Sequence, residues 1–147
     1  MRLIITSGYF DPLHVGHLEY LQLARDLGDK LVVIVNNNHQ ATLKKGRAFM
    51  PDIDRVRIIQ ALSCVSEVYL SIDTDASVCR SLEAVRWSHD DISEVVFAKG
   101  GDRTSNEIPE GPTCARLDIS IIDGLGAKIR SSSELEAAYA YLLRKNE

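Results

Sequence analysis

The sequence predicts an α/β fold: a parallel sheet of five strands with helices on both faces. Three observations carry that expectation. Short apolar runs alternate with helix-period patterns from one end of the chain to the other, the layout of successive strand–helix–strand units. Leu31-Val-Val-Ile-Val35 offers no polar side chain to water, as a strand buried on both faces requires. With 147 residues, 45% of them hydrophobic and 26% charged, the chain has the size and balance of one compact soluble domain spanning 1–147.

Residues 3–6 read as the first strand and 14–27 as the first helix. On that helix His17, Leu21, Ala24 and Gly28 follow 4-3-4 spacing, with His14 and Leu18 close to the same face. Both histidines therefore stand in its first turn, over the carboxyl ends of the strands, where such folds bind ligands. After a second strand at 31–35, residues 36–48 are polar and irregular and read as a mobile loop carrying Lys44, Lys45 and Arg47 around Gly46. Met50-Pro51-Asp52 opens the second helix, because Pro suits a first turn and an acidic residue suits the positive end of the helix dipole. Arg55, Ile58, Ile59 and Leu62 share one face of it.

The third strand falls at 68–72, and a third helix at 76–89 turns Val78, Cys79, Leu82 and Val85 inward. A fourth strand at 95–98 runs into the charged, glycine-bent turn Lys99-Gly100-Gly101-Asp102-Arg103. Residues 108–116 read as a short, proline-interrupted helix or a loop, and 119–122 as the fifth strand. Ser131 and Glu134 then have capping-box spacing ahead of a last helix with Leu135, Ala138, Tyr139 and Leu142 on one face.

Composition narrows the function classes. A net charge of −4 and a sequence pI near 5.6 leave no broad basic field for nucleic acid, so any phosphate recognition must be local. Cys64, Cys79 and Cys114 are odd in number and lack C-x-x-C spacing, which argues against a disulfide framework or a structural zinc site and for buried thiols in a reducing cytoplasm. The apolar stretch at the amino terminus is too short for a signal peptide or a membrane span.

The chemistry centres on Gly8-Tyr9-Phe10-Asp11-Pro12-Leu13-His14-Val15-Gly16-His17. In isolation the two histidines could cap a helix, hold a metal or serve catalysis. A metal is disfavoured because no third Cys, His or carboxylate repeats the pattern nearby. Nothing suggests a Ser-His-Asp triad or a G-x-S-x-G elbow. The helix start, the serine triplet Ser131 to Ser133 and the loop cations should converge on one rim, which suits a polyphosphate: helix amino termini present unpaired N–H groups, and Gly8 and Gly16 let backbone approach closely. A reaction that needs mainly positioning and charge neutralisation fits such a rim, and nucleotidyl transfer is of that kind.

That segment resembles the G-x-F-D-x-x-H-x-G-H signature of the cytidylyltransferase-like nucleotidyltransferases. The likeness extends through Lys44 with Arg47, Arg55, Lys99-Gly-Gly-Asp102 and the Ser131 to Ser133 cap. The Lys-Gly-Gly-Asp turn looks most like the heptose 1-phosphate adenylyltransferase branch, whereas Lys128-Ile129-Arg130 departs from the pattern of glycerol-3-phosphate cytidylyltransferase. The resemblance implies a Rossmann-like sheet in the order 3-2-1-4-5. It implies a reaction in which CTP or ATP passes CMP or AMP to a phosphorylated small acceptor, with Mg²⁺ carried by the triphosphate, no protein metal site, no nucleic-acid or membrane partner, and a homodimer. It implies catalytic roles for His14, His17, Lys44 and Arg55. Nucleotide contacts would fall to Gly8, Tyr9, Phe10, Gly16, Lys99, Gly101, Asp102, Ser131, Ser132 and Ser133, and acceptor contacts to Asp11 and Arg47. A non-catalytic nucleotide-binding module of the same fold is the alternative.

Overall fold

The computed structural model of the chain describes residues 1–101 and 108–126. Asp102, Ser131, Ser132, Ser133 and the helix expected to follow them lie outside the described residues. Within them the elements run β1 (Arg2–Gly8), α1 (Val15–Asp26), β2 (Lys30–Val35), α2 (Asn38–Lys45), α3 (Asp52–Gln60), β3 (Glu67–Leu70), α4 (Cys79–Ser88), β4 (Glu94–Gly100), α5 (Gly111–Arg116) and β5 (Ser120–Leu125). All pairings are parallel and the order is β3-β2-β1-β4-β5, as expected.

The central pair forms because Leu3, Ile4 and Ile5 of β1 and Leu31 to Val35 of β2 have no exposed surface at all, so both faces of those strands must be covered. Period-two alternation divides them between two apolar layers. Leu3, Ile5, Val32 and Ile34 pack with Val78, Leu82 and Val85 of the α4 segment and with Cys114 of α5. Ile4, Leu31, Val33 and Val35 pack on the other face with Leu21 and Ala24 of α1 and Ile59 of α3. The chain builds β1, β2 and β3 outward on one side, then returns to place β4 on the other side of β1. Ligands bind at such a reversal, over the carboxyl ends of the strands.

One segment departs from the sequence reading. Residues 36–48 are not an irregular loop: Asn38–Lys45 is a helix. Its start is a reciprocal cap, in which Asn37 Oδ1 accepts from Gln40 N–H and Gln40 Oε1 accepts from Asn37 N–H. Gly46, at φ 87°, ends it in the left-handed conformation that glycine adopts without a Cβ penalty. The apolar pattern is too sparse to announce this helix because only Gln40 and Ala41 are buried. Polar anchors hold it: Asn37 Nδ2 donates to the carbonyls of Ser71 and Asp73, and Gln40 Nε2 to those of Asp75 and Ser77. Among the described residues no helix is long and apolar enough to cross a membrane.

Candidate active site

The carboxyl ends of β1 and β4 and the starts of α1 and α4 surround an open cavity of about 730 Å³. Its wall includes Gly8, Tyr9, Phe10, Asp11, His14, Gly16, His17, Lys44, Lys99 and Gly101, so ten of the expected residues come together there. Arg47 is exposed and is not among the lining residues.

The histidine wall follows from a local cap. His14 is the N-cap of α1, and its Nδ1 accepts from Gly16 N–H at 3.1 Å. His17 Nδ1 accepts in turn from His14 N–H at 3.2 Å. A ring nitrogen that accepts carries no proton, so both imidazoles are in the Nε2–H form and each presents that N–H as its donor. The rings stack at 3.7 Å between centroids with 21° between planes, an arrangement two imidazolium ions would oppose. Burial, then the neighbouring His14 and Lys44, lowers the His17 pKa to about 4. At neutral pH His17 is therefore an uncharged, pre-aimed donor.

Phe10 supports this wall from behind. Its φ of 51° lies in the left-handed region, which costs a residue with a Cβ on the order of 1–2 kcal/mol. The conformation buries the ring almost completely, edge-on to His17 at 5.1 Å between centroids. Gly8 makes the room, since a Cβ there would stand 2.7 Å from the Phe10 ring. Gly8 thus serves packing in addition to any approach of phosphate.

The cations divide. Lys44, in the last turn of α2, places Nζ 4.3 Å from the centre of the Tyr9 ring, a cation–π distance. Lys99 Nζ donates to Ser7 Oγ at 3.2 Å. Lys45, also on the cavity wall, holds Asp11, pairing with Oδ2 at 3.0 Å and donating to the Asp11 carbonyl at 2.9 Å. The Asp11 carboxylate also accepts from the N–H groups of Phe49 and Met50, so its oxygens tie the loop after α2 to the loop after β1. The same carboxylate thus organises the wall that Asp11 helps to line.

Arg55 lies buried beneath the site loops. It is 1% exposed and donates to the carbonyls of Met50, Tyr9 and Asn36 and to Asn38 Oδ1, with Asp11 Oδ1 3.9 Å from its Nε. Burial pulls its pKa down, and Asp11 and Asp52 partly oppose that. Its partners are main-chain oxygens on three segments, so the guanidinium stitches the site loops together and does not line the cavity. Stacked imidazoles, the ammonium groups of Lys44, Lys45 and Lys99 and a strand-end cradle make an arrangement chemically suited to phosphate oxygens.

A model of the cytidylyltransferase-like family matches residues 5–121, a span that holds the whole histidine wall, both lysines of α2 and Lys99. The chain belongs to the cytidylyltransferase-like family. The Bifunctional protein HldE of Geotalea uraniireducens is 38% identical over 109 residues, which are 73% of this chain and 20% of that protein. The FAD synthase of Thermococcus sibiricus is 38% identical over 90 residues, covering 60% of this chain and 58% of that one. The chain spans about a fifth of the length of the HldE proteins it matches. The crystal structure of the lipopolysaccharide core biosynthesis protein from Thermoplasma volcanium GSS1 shares the fold, with a TM-score of 0.64 and 21% identity over 86% of this chain and 98% of that one.

In this cytidylyltransferase-like site the sequence reading passed over Glu110 and Val78, which line the cavity from the α4 and α5 side. No local pattern marks them: a glutamate after a proline in a polar turn looks like solvated surface. Among the described residues no group of three or more His, Cys, Asp or Glu side chains gathers as a metal cage.

Proposed function

We propose that the chain is a nucleotidyltransferase that passes CMP or AMP from CTP or ATP to a phosphorylated small acceptor, such as a sugar or glycerol phosphate. An acceptor phosphate oxygen attacks the α-phosphorus, the bond from that phosphorus to the bridging oxygen breaks, and pyrophosphate leaves with the bonding electrons. The observation that carries this reading is the pair of stacked imidazoles on the cavity wall whose caps occupy Nδ1 and leave Nε2 as the protonated nitrogen. Neutral donors held in place strengthen their hydrogen bonds as charge develops on the phosphate oxygens, and Lys44 and Lys99 add positive charge beside them.

Mg²⁺ carried by the triphosphate would supply further charge neutralisation. A relative whose name says that it makes FAD, an adenine dinucleotide, favours an adenylyl donor among the two. The test is pyrophosphate release with Mg²⁺, crossing CTP, ATP, GTP and UTP with sugar, glycerol and amino-alcohol phosphates. Turnover with one pair is expected. Nucleotide binding without turnover for any pair would leave only a nucleotide-binding module. Sedimentation of the purified chain tests the homodimer.

A further inference from the structure

The cavity has a wall that phosphate chemistry does not explain. Glu110 is 3% exposed and precedes α5 on the face of the sheet opposite α1. Its Oε2 accepts from Val78 N–H at 3.0 Å, at the start of α4. Its Oε1 is closed to water and has no hydrogen-bond partner. A buried carboxylate oxygen left so is costly, and the few such atoms in folded proteins call for a reason. The local field is negative enough to act with burial in pushing the nearby Cys114 thiol up to about 12.

We propose that Glu110 is a specificity residue whose Oε1 accepts a hydrogen bond from a substrate hydroxyl, with the substrate's phosphate held across the cavity at the histidine wall. The inference rests on the nucleotidyl-transfer reading. A carboxylate repels phosphate, so the site has polarity: cationic and N–H donors beside α1 and α2, an acceptor beside Val78 and Pro109. The last torsion of a glutamate is soft, so a small swing brings Oε1 to a donor entering there. The hydroxyl belongs either to the ribose of the nucleotide or to the phosphorylated acceptor.

Glu110→Gln separates this role from structure. The amide oxygen can keep the bond from Val78 N–H, while an NH₂ replaces Oε1 and turns that position from acceptor to donor. Steady-state kinetics and titration calorimetry would compare wild type with E110Q on ATP, CTP, their 2′- and 3′-deoxy forms, glycerol 3-phosphate and sugar phosphates with single hydroxyls removed. The expected result is a KM or Kd raised about 10- to 100-fold for one substrate, with the other and the thermal midpoint unchanged. The matching deoxy compound should lose affinity on wild type but not further on E110Q. A shift confined to the nucleotide assigns the ribose; one confined to the phosphate ester assigns the acceptor. Equal constants in the two proteins, or equal discrimination against deoxy compounds, overturn the proposal. If E110Q folds poorly, wild type alone decides, since indifference to every deoxy pair removes the hydroxyl. If wild type turns nothing over, the proposed reaction fails while calorimetry on the same ligands still reads Glu110.

Discussion

Helices α1 and α2 begin with the same device and use it oppositely. At α1, His14 Nδ1 accepts from Gly16 N–H and His17 Nδ1 from His14 N–H; at α2, Asn37 and Gln40 exchange backbone N–H bonds through their amide oxygens. Each side chain has a second polar group, and there the two helices part. The amide NH₂ groups of α2 donate to four carbonyls between Ser71 and Ser77 and lock that helix against the loop before α4. The imidazole Nε2–H groups of α1 belong to rings on the cavity wall. A cap is therefore not an alternative to function: at α1 it sets the tautomer that function needs.

The largest way to break the comparison is His17→Asn. The Asn oxygen can replace Nδ1 as the acceptor for His14 N–H, but nothing replaces Nε2–H. Turnover should fall about 100-fold or more, as loss of one transition-state donor commonly brings, while the denaturation midpoint stays near wild type. A near-normal rate measured as pyrophosphate release removes His17 from the chemistry.

The counterpart at α2 is Gln40→Ala, which leaves buried carbonyls and the Asn37 N–H unpaired. It should cost about 2–4 kcal/mol in chemical denaturation. The two lysines then sharpen the picture: Lys44→Ala should lower turnover by about 10-fold or more with little change in stability. Lys45→Ala should instead destabilise the fold, because it removes the nearer of the two cations that face the buried Asp11 carboxylate. Equal kinetic losses for both would dissolve the division of labour.

The smallest effect is on pH. His17 titrates near 4 when folded and near 6.5 when unfolded, so between those values the unfolded chain binds more protons. Its contribution is flat above about pH 6.5 and stability is lost as pH falls toward 4. Protonation would also remove the Nδ1 acceptor from His14 N–H. The stability difference between wild type and H17N, measured across that window, should show this slope, and a flat difference would contradict the buried neutral ring.

Much of this was legible in short stretches. The apolar runs announced the strands, and the G-x-F-D-x-x-H-x-G-H segment announced the site. The helix at α2 was legible too in Asn37-x-x-Gln40, Lys44, Lys45 and Gly46, but its polar face hid it from a reading that weighs hydrophobic period first. The contacts of Arg55 and Asp11 were hidden for a different reason: nothing in their neighbours in sequence indicates which backbone and charged groups will surround them.

The strand–helix alternation, the family and the histidine cap can be read along the chain, because hydrogen bonds within a turn and period-two or period-3.6 burial act over a few residues. Only the tertiary structure decided which polar atoms remain for a substrate. Lys45 meets Asp11 across 34 positions, Arg55 meets Tyr9 across 46 and Glu110 meets Val78 across 32. Buried polar groups must find partners wherever the fold brings them. That requirement, imposed at long range, tied Arg55 and the Asp11 carboxylate into contacts between the site loops and left one buried oxygen of Glu110 without a partner.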